Sequence, residues 1–193
     1  MHTYLTKKED MKKIMIIALA LLSQVNIQAA EPTWMSVPTT TAAVEGNDPI
    51  EMIRFDNDGK TNVRNAPGGK VVDSIPEGGS YTLFIDKIQN GWCHIWKGET
   101  VEEEEGVTKK FKGATDFWIH SSVIGANGMG DGRVTLYSTP SKSSKVVYKS
   151  KEWTIIRPVE IKGKWLKVRV DGKKTEGWIR TDEICSNPLT NCC

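Results

Sequence analysis

The sequence predicts an all-β protein built from two small β-barrels in tandem, and three observations support this fold class. Short runs of β-branched and aromatic residues alternate with Gly, Asn, Asp and Pro, which is typical of strands joined by turns. No stretch after residue 30 keeps the apolar period of a helix. A set of short motifs occurs twice in the same order, so one small unit is repeated.

The first thirty residues have the pattern of a secretory signal peptide. Two lysines precede an apolar run at residues 14–22, and Ala29 and Ala30 stand at the predicted cleavage point. This run is much shorter than the roughly 20 residues that cross a bilayer as a helix. The alternative is a short N-terminal membrane anchor. The pattern favours a periplasmic or secreted protein that keeps no stable membrane anchor once residues 1–30 are removed.

The charge of the chain is small but unevenly distributed. Its formal net charge is +2, from 26 basic and 24 acidic residues, which is too weak to indicate a nucleic-acid-binding protein. All of this excess lies in the predicted signal peptide. Residues 31–125 hold 9 basic and 15 acidic residues, whereas residues 126–193 hold 13 and 7. We interpret this asymmetry as a dipole that helps the two barrels dock or orients a charged ligand.

Composition and repetition divide the remaining chain into three segments. Residues 31–54, rich in Thr, Pro and Ala, show no periodicity and are predicted to be a linker or an N-terminal arm. Residues 55–125 contain the first repeat and residues 126–193 the second. Within the first repeat, residues 98–116 are an insertion with an acidic arm, a Gly and a basic arm. This order predicts an extended hairpin with cross-strand ion pairs.

Four short motifs define the repeat. The first copy reads NVRNAP, KVV, GWCHI and FWIH, and the second reads TLYSTP, KVV, KWLKV and GWIR. Pro67 precedes Trp92, and Pro140 precedes Trp165, by the same 25 residues. Because both the order and this spacing agree, the two copies are predicted to share one fold.

These motifs resemble those of the bacterial SH3 (SH3b) domain family. In the first copy the resemblance covers roughly residues 55–124, with a DGKTNVR opening and a WIHSSVI ending. In the second it covers residues 132–185, with Thr135 and Tyr137 where the first copy has Asn and Arg. The resemblance implies two SH3-like β-barrels. It also implies a binding module for cell-wall peptidoglycan, as glycan or stem peptide, or for an extended peptide.

Strand alternation separates the residues of a core face from those of an outer face. It places Cys93 and Ile95 inside, and it places four tryptophans outside: Trp92, Trp118, Trp165 and Trp178. Exposed aromatic rings of this size indicate a ligand groove. Tyr81 and Tyr137 are candidate neighbours of that groove. Alternatively, the tryptophans close the barrel ends or form the contact between the two copies.

No catalytic residue, metal site or cofactor is predicted. Cys93 and His94 are adjacent on one strand and point to opposite faces, so they cannot act as a nucleophile and its base. Cys93 is therefore predicted to be a buried free thiol, and His94 and His120 lack a third metal ligand. Export permits disulfides, and the candidates, whose pairing stays open, are Cys185, Cys192 and Cys193.

The sequence thus predicts an exported, non-catalytic binding module with a peptidoglycan or peptide partner. Specificity would come from the groove tryptophans. The alternative is a protein–protein interaction factor such as an inhibitor, an immunity-type protein or an accessory subunit of a secreted enzyme. In that case the tryptophans and the charged hairpin would form a protein interface.

Overall fold

The computed structural model describes residues 48–56 and 58–186, all of which lie within one compact unit. The predicted signal peptide, most of the predicted arm, and Cys192 and Cys193 lie outside these described residues. Strands dominate the described part of the chain, so the all-β prediction is confirmed. No helix in these two ranges is long and apolar enough to cross a membrane.

The first sheet is antiparallel and is formed by residues 50–125. Its strands are β1 (Ile50–Arg54), β2 (Thr61–Arg64), β3 (Val71–Ile75), β4 (Tyr81–Gln89), β5 (Trp92–Glu102), β6 (Val107–Lys110), β7 (Trp118–His120) and β8 (Ile124–Gly125). They lie in the order β3-β2-β7-β5-β4-β1-β8, and β6 pairs with β5. A single 3₁₀ turn, Ser121–Val123, connects β7 to β8.

The second sheet repeats part of this order. Its strands are β10 (Thr135–Tyr137), β11 (Val146–Lys149), β12 (Ile156–Lys162), β13 (Trp165–Val170) and β14 (Glu176–Arg180), and a separate pair joins β9 (Asn127–Gly128) to β15 (Ile184–Cys185). The order β11-β10-β14-β13-β12 matches β3-β2-β7-β5-β4 of the first sheet. A 3₁₀ turn, Thr181–Glu183, again follows the last long strand.

Strand β1 corrects the predicted boundary of the linker. The interval 31–54 ends in a strand that lies between β4 and β8, so the first sheet begins at or before Ile50. Met52 is fully buried and Ile53 is nearly so. A strand of five residues is too short to show a clear period, and the Thr, Pro and Ala before it hide the signal.

The predicted core faces are correct in both sheets. The inward residues of β5, β7, β13 and β14 are at most 1% exposed: Cys93, Ile95, Ile119, Leu166, Val168, Val170 and Ile179. They belong to one continuous buried cluster that spans both sheets. Cys93 is a buried free thiol, and burial raises its pKa, so the thiol stays protonated at neutral pH.

Strand β12 connects the second sheet to the first. Ala126 and Ile156 exchange two backbone hydrogen bonds, of 3.1 and 2.9 Å. Arg157 Nη1 donates to the Ile124 carbonyl at 3.1 Å, and the Arg157 guanidinium carbon lies 5.4 Å from the centre of the Phe55 ring. The two sheets are thus joined by backbone hydrogen bonds and by the side chain of Arg157. The charge asymmetry of the sequence predicts instead an attraction between the acidic residues 31–125 and the basic residues 126–193.

Replacement of Arg157 is expected to weaken this connection. Arg157→Met keeps the apolar stem but leaves the Ile124 carbonyl and the Asp171 carboxylate without this donor. We expect the free energy of unfolding in urea to fall by about 1.5–3 kcal/mol, the range for hydrogen bonds with a charged partner. Arg169→Met, which removes an exposed pair with Glu176, is the control. An equal loss in both variants would contradict this role of Arg157.

The hairpin predicted within residues 98–116 is present. Strands β5 and β6 pair from Glu99 opposite Lys110 to Glu102 opposite Val107, around a turn at residues 103–106. One predicted cross-strand ion pair is observed, with Lys110 Nζ 3.9 Å from Glu99 Oε2. An exposed pair of this length adds little to stability.

The basic side of this hairpin covers the edge strand β3. Lys109 Nζ lies 2.8 Å from Asp73 Oδ1 and also donates to the Ser74 carbonyl, and the Lys112 backbone N–H donates to Asp73 Oδ2 at 3.1 Å. Burial raises the pKa of Asp73, but the hydrogen bonds from Lys109 and from the Ser74 and Lys112 N–H groups outweigh it. The pKa of Asp73 is therefore lowered.

This lowered pKa predicts a pH dependence of stability. Asp73 makes its full contribution to the free energy of unfolding above about pH 4, the pKa of an aspartate in the unfolded chain. This contribution is lost as the pH falls through the lower pKa of Asp73 in the folded protein. We expect Asp73→Asn to be less stable than the wild type at pH 7. The variant should also lose less stability than the wild type between about pH 5 and pH 2. Urea unfolding across this range measures both, and identical pH profiles would contradict the assignment.

Candidate functional site

The outer faces of β2, β5 and β7 carry a cluster of four rings and one guanidinium, called here the outer-face cluster: Arg64, Trp92, His94, Trp118 and His120. Trp92 lies opposite His120, and His94 lies opposite Trp118. The ring centres of these two pairs are 5.0 and 5.2 Å apart. The Arg64 guanidinium carbon lies 5.5 Å from the centre of the Trp92 ring. This distance is within the range of a cation–π contact.

The predicted exposure of the tryptophans is wrong for two of the four. Trp118 and Trp178 are 7% and 8% exposed, whereas Trp92 and Trp165 are half-buried. Lys87 Nζ, 5.7 Å from the Trp118 ring centre, helps to cover that ring. Trp118 stands between the long side chains of Arg64 and His94, and Trp178 stands between those of Tyr137 and Lys167. Alternation predicts the face of a residue but not this covering.

A cleft of about 320 Å³ opens beside Trp92. It is lined by nine residues of the first sheet and its loops: Asp56, Asp58, Lys60, Thr61, Asn62, Arg64, Trp92, His120 and Val123. The lining combines an indole and an imidazole with two carboxylates and two cations. Such a mixture is suited to a ligand that carries charges of both signs beside an apolar group.

Hydrogen bonds hold the polar wall of this cleft in place. The Thr61 hydroxyl donates to Asp56 Oδ2 at 2.6 Å and accepts from Arg54 Nε at 2.8 Å. Arg64 Nη1 donates to the Gly69 carbonyl at 2.6 Å. A guanidinium has five N–H donors, so Arg64 retains donors for a ligand while its position is fixed.

The two histidines of the cluster have separate partners. His94 Nδ1 lies 2.6 Å from Asp86 Oδ1, and His94 Nε2 lies 3.6 Å from Asp116 Oδ1. His120 Nδ1 lies 2.7 Å from the Ser122 hydroxyl, and His120 lines the cleft. Across residues 48–56 and 58–186, no group of three or more His, Cys, Asp or Glu side chains is placed to hold a metal ion.

A second cleft of about 320 Å³ lies at the corresponding place on the second sheet. Its lining is Met129, Arg133, Thr135, Tyr137, Ile179, Asp182 and Glu183. Tyr137 is paired with Trp178 as Arg64 is paired with Trp118, so Tyr137 stands where Arg64 stands. The Tyr137 ring centre lies 6.0 Å from that of Trp165. The first cleft is therefore lined by a half-buried tryptophan, whereas the second is lined by Tyr137, whose ring packs on the half-buried Trp165.

The predicted site residues divide between these clefts and other places. Trp92 lines the first cleft and Tyr137 lines the second. Trp165 does not line the second cleft but contacts the Tyr137 ring. Tyr81 packs against the core cluster and lines neither cleft. Sequence reasoning missed the charged lining, which comes from loops, a 3₁₀ turn and the end of β2: Asp56, Asp58, Lys60, Arg64, Arg133, Asp182 and Glu183. The charged turn before NVRNAP was the available signal.

The predicted disulfide concerns the end of the described chain. Cys185 is disulfide-bonded. Cys192 and Cys193 lie outside the described residues, so the choice between them as a partner stays a prediction. A bond at Cys185 would fix the end of β15, which pairs with β9.

The second sheet also gives the chain a relationship to known proteins. Residues 130–185 match the family model described as the bacterial SH3 domain. The match covers β10 to β15, the segment predicted to be the second repeat. The motifs that carry the resemblance in the sequence are more complete in the first repeat, which this match does not include. Bacterial SH3 domains are binding modules, and the match supports that general class.

Two solved structures are similar to the chain over part of their length. NlpC1 from Trichomonas vaginalis is 13% identical, with a TM-score of 0.27, over 72% of this chain and 46% of its own. NlpC2 from the same organism is 12% identical, with a TM-score of 0.27, over 73% of this chain and 49% of its own. The chain thus spans less than half the length of either protein. No curated protein sequence matches it.

Proposed function

We propose that this chain is an exported, non-catalytic protein that binds cell-wall peptidoglycan through its stem peptides. The observation that carries the proposal is the lining of the cleft beside Trp92. There a half-buried indole is flanked by the cations Lys60 and Arg64 and by the carboxylates Asp56 and Asp58. The match of residues 130–185 to the bacterial SH3 domain supports a binding module.

The chemistry of this lining favours a peptide over a sugar. A stem peptide has short apolar side chains, a terminal carboxylate and in many bacteria a free amine. Arg64 would bind the carboxylate through charge-assisted hydrogen bonds, Asp58 would bind the amine, and Trp92 would contact the apolar side chain. Stacking of a sugar needs an open aromatic face, and Arg64 already lies over the Trp92 ring.

The second cleft would add a weaker contact to the same polymer. Its lining includes Met129 and Tyr137 as apolar surface and Asp182 and Glu183 as carboxylates. Arg180 and Lys142 already form ion pairs with those two carboxylates. Because both clefts are on one chain, simultaneous contact with a polymer would raise the apparent affinity through effective concentration.

Cosedimentation with insoluble peptidoglycan tests the proposal. The wild type should sediment with the polymer, and an excess of soluble stem peptide should release it. Trp92→Ala combined with Trp165→Ala should remain in the supernatant. Trp96→Ala is the control, because Trp96 is a half-buried residue on the same face of β5 that lines neither cleft. Retention of the double variant would refute the assignment of binding to these clefts.

Two further properties of the proposal have their own measurements. Mass spectrometry of stem peptides incubated with the protein should show no change, because the proposal includes no catalysis. Fractionation of the native cells should place the chain outside the cytoplasm with residues 1–30 removed. Cleaved peptides would contradict the absence of catalysis. An uncleaved N-terminus in the cytoplasm would contradict export.

A further inference from the structure

Strand β11 is an open edge of the second sheet. It pairs with β10 on one side, and no strand pairs with its other side within residues 48–56 and 58–186. Val146 and Val147 are 47% and 39% exposed. An edge strand presents unpaired backbone N–H and C=O groups, which can accept another strand. Exposed valines on such an edge therefore mark a surface suited to strand addition.

The corresponding edge of the first sheet is covered by the chain itself around Asp73, although Val71 at its start is 48% exposed. Strand β3 occupies the place in the first sheet that β11 occupies in the second. The basic side of the hairpin, residues 109–112 in and just after β6, covers this part of β3, because Lys109 Nζ and the Lys112 N–H both bind the Asp73 carboxylate. In the second sheet the connection between β13 and β14 is only residues 171–175. It places Lys173 on Tyr148 of β11, but within residues 48–56 and 58–186 no strand pairs along this edge.

The charge at the β11 edge is opposite to the charge at the β3 edge. Tyr148 of β11 pairs with Leu136, and Asp73 of β3 pairs with Val63 at the corresponding place in the first sheet. Tyr148 therefore stands where Asp73 stands. Lys173 Nζ donates to the Tyr148 hydroxyl at 3.1 Å. Lys145 and Lys149 are exposed beside Val146 and Val147. Within residues 48–56 and 58–186, the ion pairs of this sheet involve other residues and neither of these two lysines.

We propose that β11 accepts an extended, acidic segment of a partner protein as an added strand. In the first sheet an acidic edge binds a basic arm, and in the second sheet a basic edge would bind an acidic one. Alternating side chains of the added strand would place carboxylates near Lys145 and Lys149 and apolar groups on the exposed valines. The site is separate from both clefts, so this proposal does not depend on peptidoglycan binding.

A labelled peptide of alternating Val and Glu, eight residues long, is the probe for this site. Its fluorescence anisotropy should rise to saturation as the purified chain is added. The same peptide with Lys in place of Glu should not bind. Because exposed charges contribute, affinity should fall as salt is added. Equal binding of both peptides would overturn the proposal.

Charge reversal at the edge provides the decisive variant. Lys145→Glu combined with Lys149→Glu should weaken binding of the acidic peptide at least about tenfold, since two attractions become repulsions. The matched control is Lys70→Glu combined with Lys112→Glu, which makes the same change in net charge beside the covered strand β3. Peptidoglycan cosedimentation of both variants should equal that of the wild type. Equal weakening of peptide binding in both variants would overturn the site.

Amide exchange distinguishes strand addition from simple charge attraction. Saturating acidic peptide should slow hydrogen exchange at those backbone amides of Val146–Lys149 that do not already bond to β10, because an added strand bonds to them. Unchanged exchange at a saturating concentration would overturn the proposal. So would a dimer in light scattering that Lys145→Glu and Lys149→Glu abolish, because the occupant would then be a second copy of this chain.

Discussion

Trp92→Ala is expected to weaken the binding of a soluble stem peptide by about 30-fold or more. Loss of a tryptophan at the centre of a binding site typically costs about 2 kcal/mol or more, and each 1.4 kcal/mol is tenfold in affinity. Trp92 lines the cleft, and its ring is in contact with Arg64 and His120. Its removal therefore takes away the apolar surface and loosens two neighbouring polar groups. Isothermal titration calorimetry measures the change.

The control for this prediction comes from the same strand. Trp96 contacts Phe84, with ring centres 6.4 Å apart, and Lys97, whose Nζ is 3.9 Å from the Trp96 ring centre. Trp96→Ala should leave the dissociation constant within about twofold of the wild type, because Trp96 lines neither cleft and a distant substitution has little effect on a binding site. If both substitutions weakened binding equally, general damage to β5 would explain the loss better than a cleft at Trp92.

Ile119→Ala is expected to lower the free energy of unfolding by about 2–5 kcal/mol, as is usual for removing a buried isoleucine side chain. Ile119 is fully buried in β7, and Ile179 is 1% exposed at the corresponding place in β14. Both belong to the same continuous core cluster. Ile179→Ala should therefore have an effect of similar size, and thermal unfolding of either variant should remain a single transition.

The single thermal transition expected for these variants means that the two sheets unfold as one unit. Val107, on the outer hairpin, is 53% exposed, and Val107→Ala should change stability by less than about 0.5 kcal/mol. Two calorimetric transitions, with only one shifted by Ile119→Ala, would show that the sheets unfold independently. The backbone bonds between Ala126 and Ile156 and the contact of Arg157 would then be too weak to couple them.

The features that depend on local periodicity could be predicted from the sequence. Cys93, Ile95 and Ile119 are buried as strand alternation requires, and the hairpin within residues 98–116 forms where acidic and basic arms flank a Gly. Each of these follows from residues close together in the chain. The sequence therefore carries them without knowledge of which strands become neighbours.

The features that depend on strand neighbours could not be predicted. Trp118 points to the outer face as expected, but it is covered because β2 and β5 flank β7. The first cleft joins Asp56 and residues 58–60 to the outer face of β5, and that juxtaposition arises only when β2 and β5 both pair with β7. Strand β1 was hidden because its pairing partner β4 lies about thirty residues later.

The central claim is that the cleft beside Trp92 binds the stem peptides of peptidoglycan. Titration of the isotope-labelled chain with a soluble stem peptide, followed by two-dimensional NMR, tests it most directly. We expect saturable shifts of the Trp92 indole N–H, of the Arg64 side chain and of the His120 backbone amide, with the Trp96 indole unmoved. Shifts confined to residues outside the two clefts, or none at millimolar peptide, would contradict it.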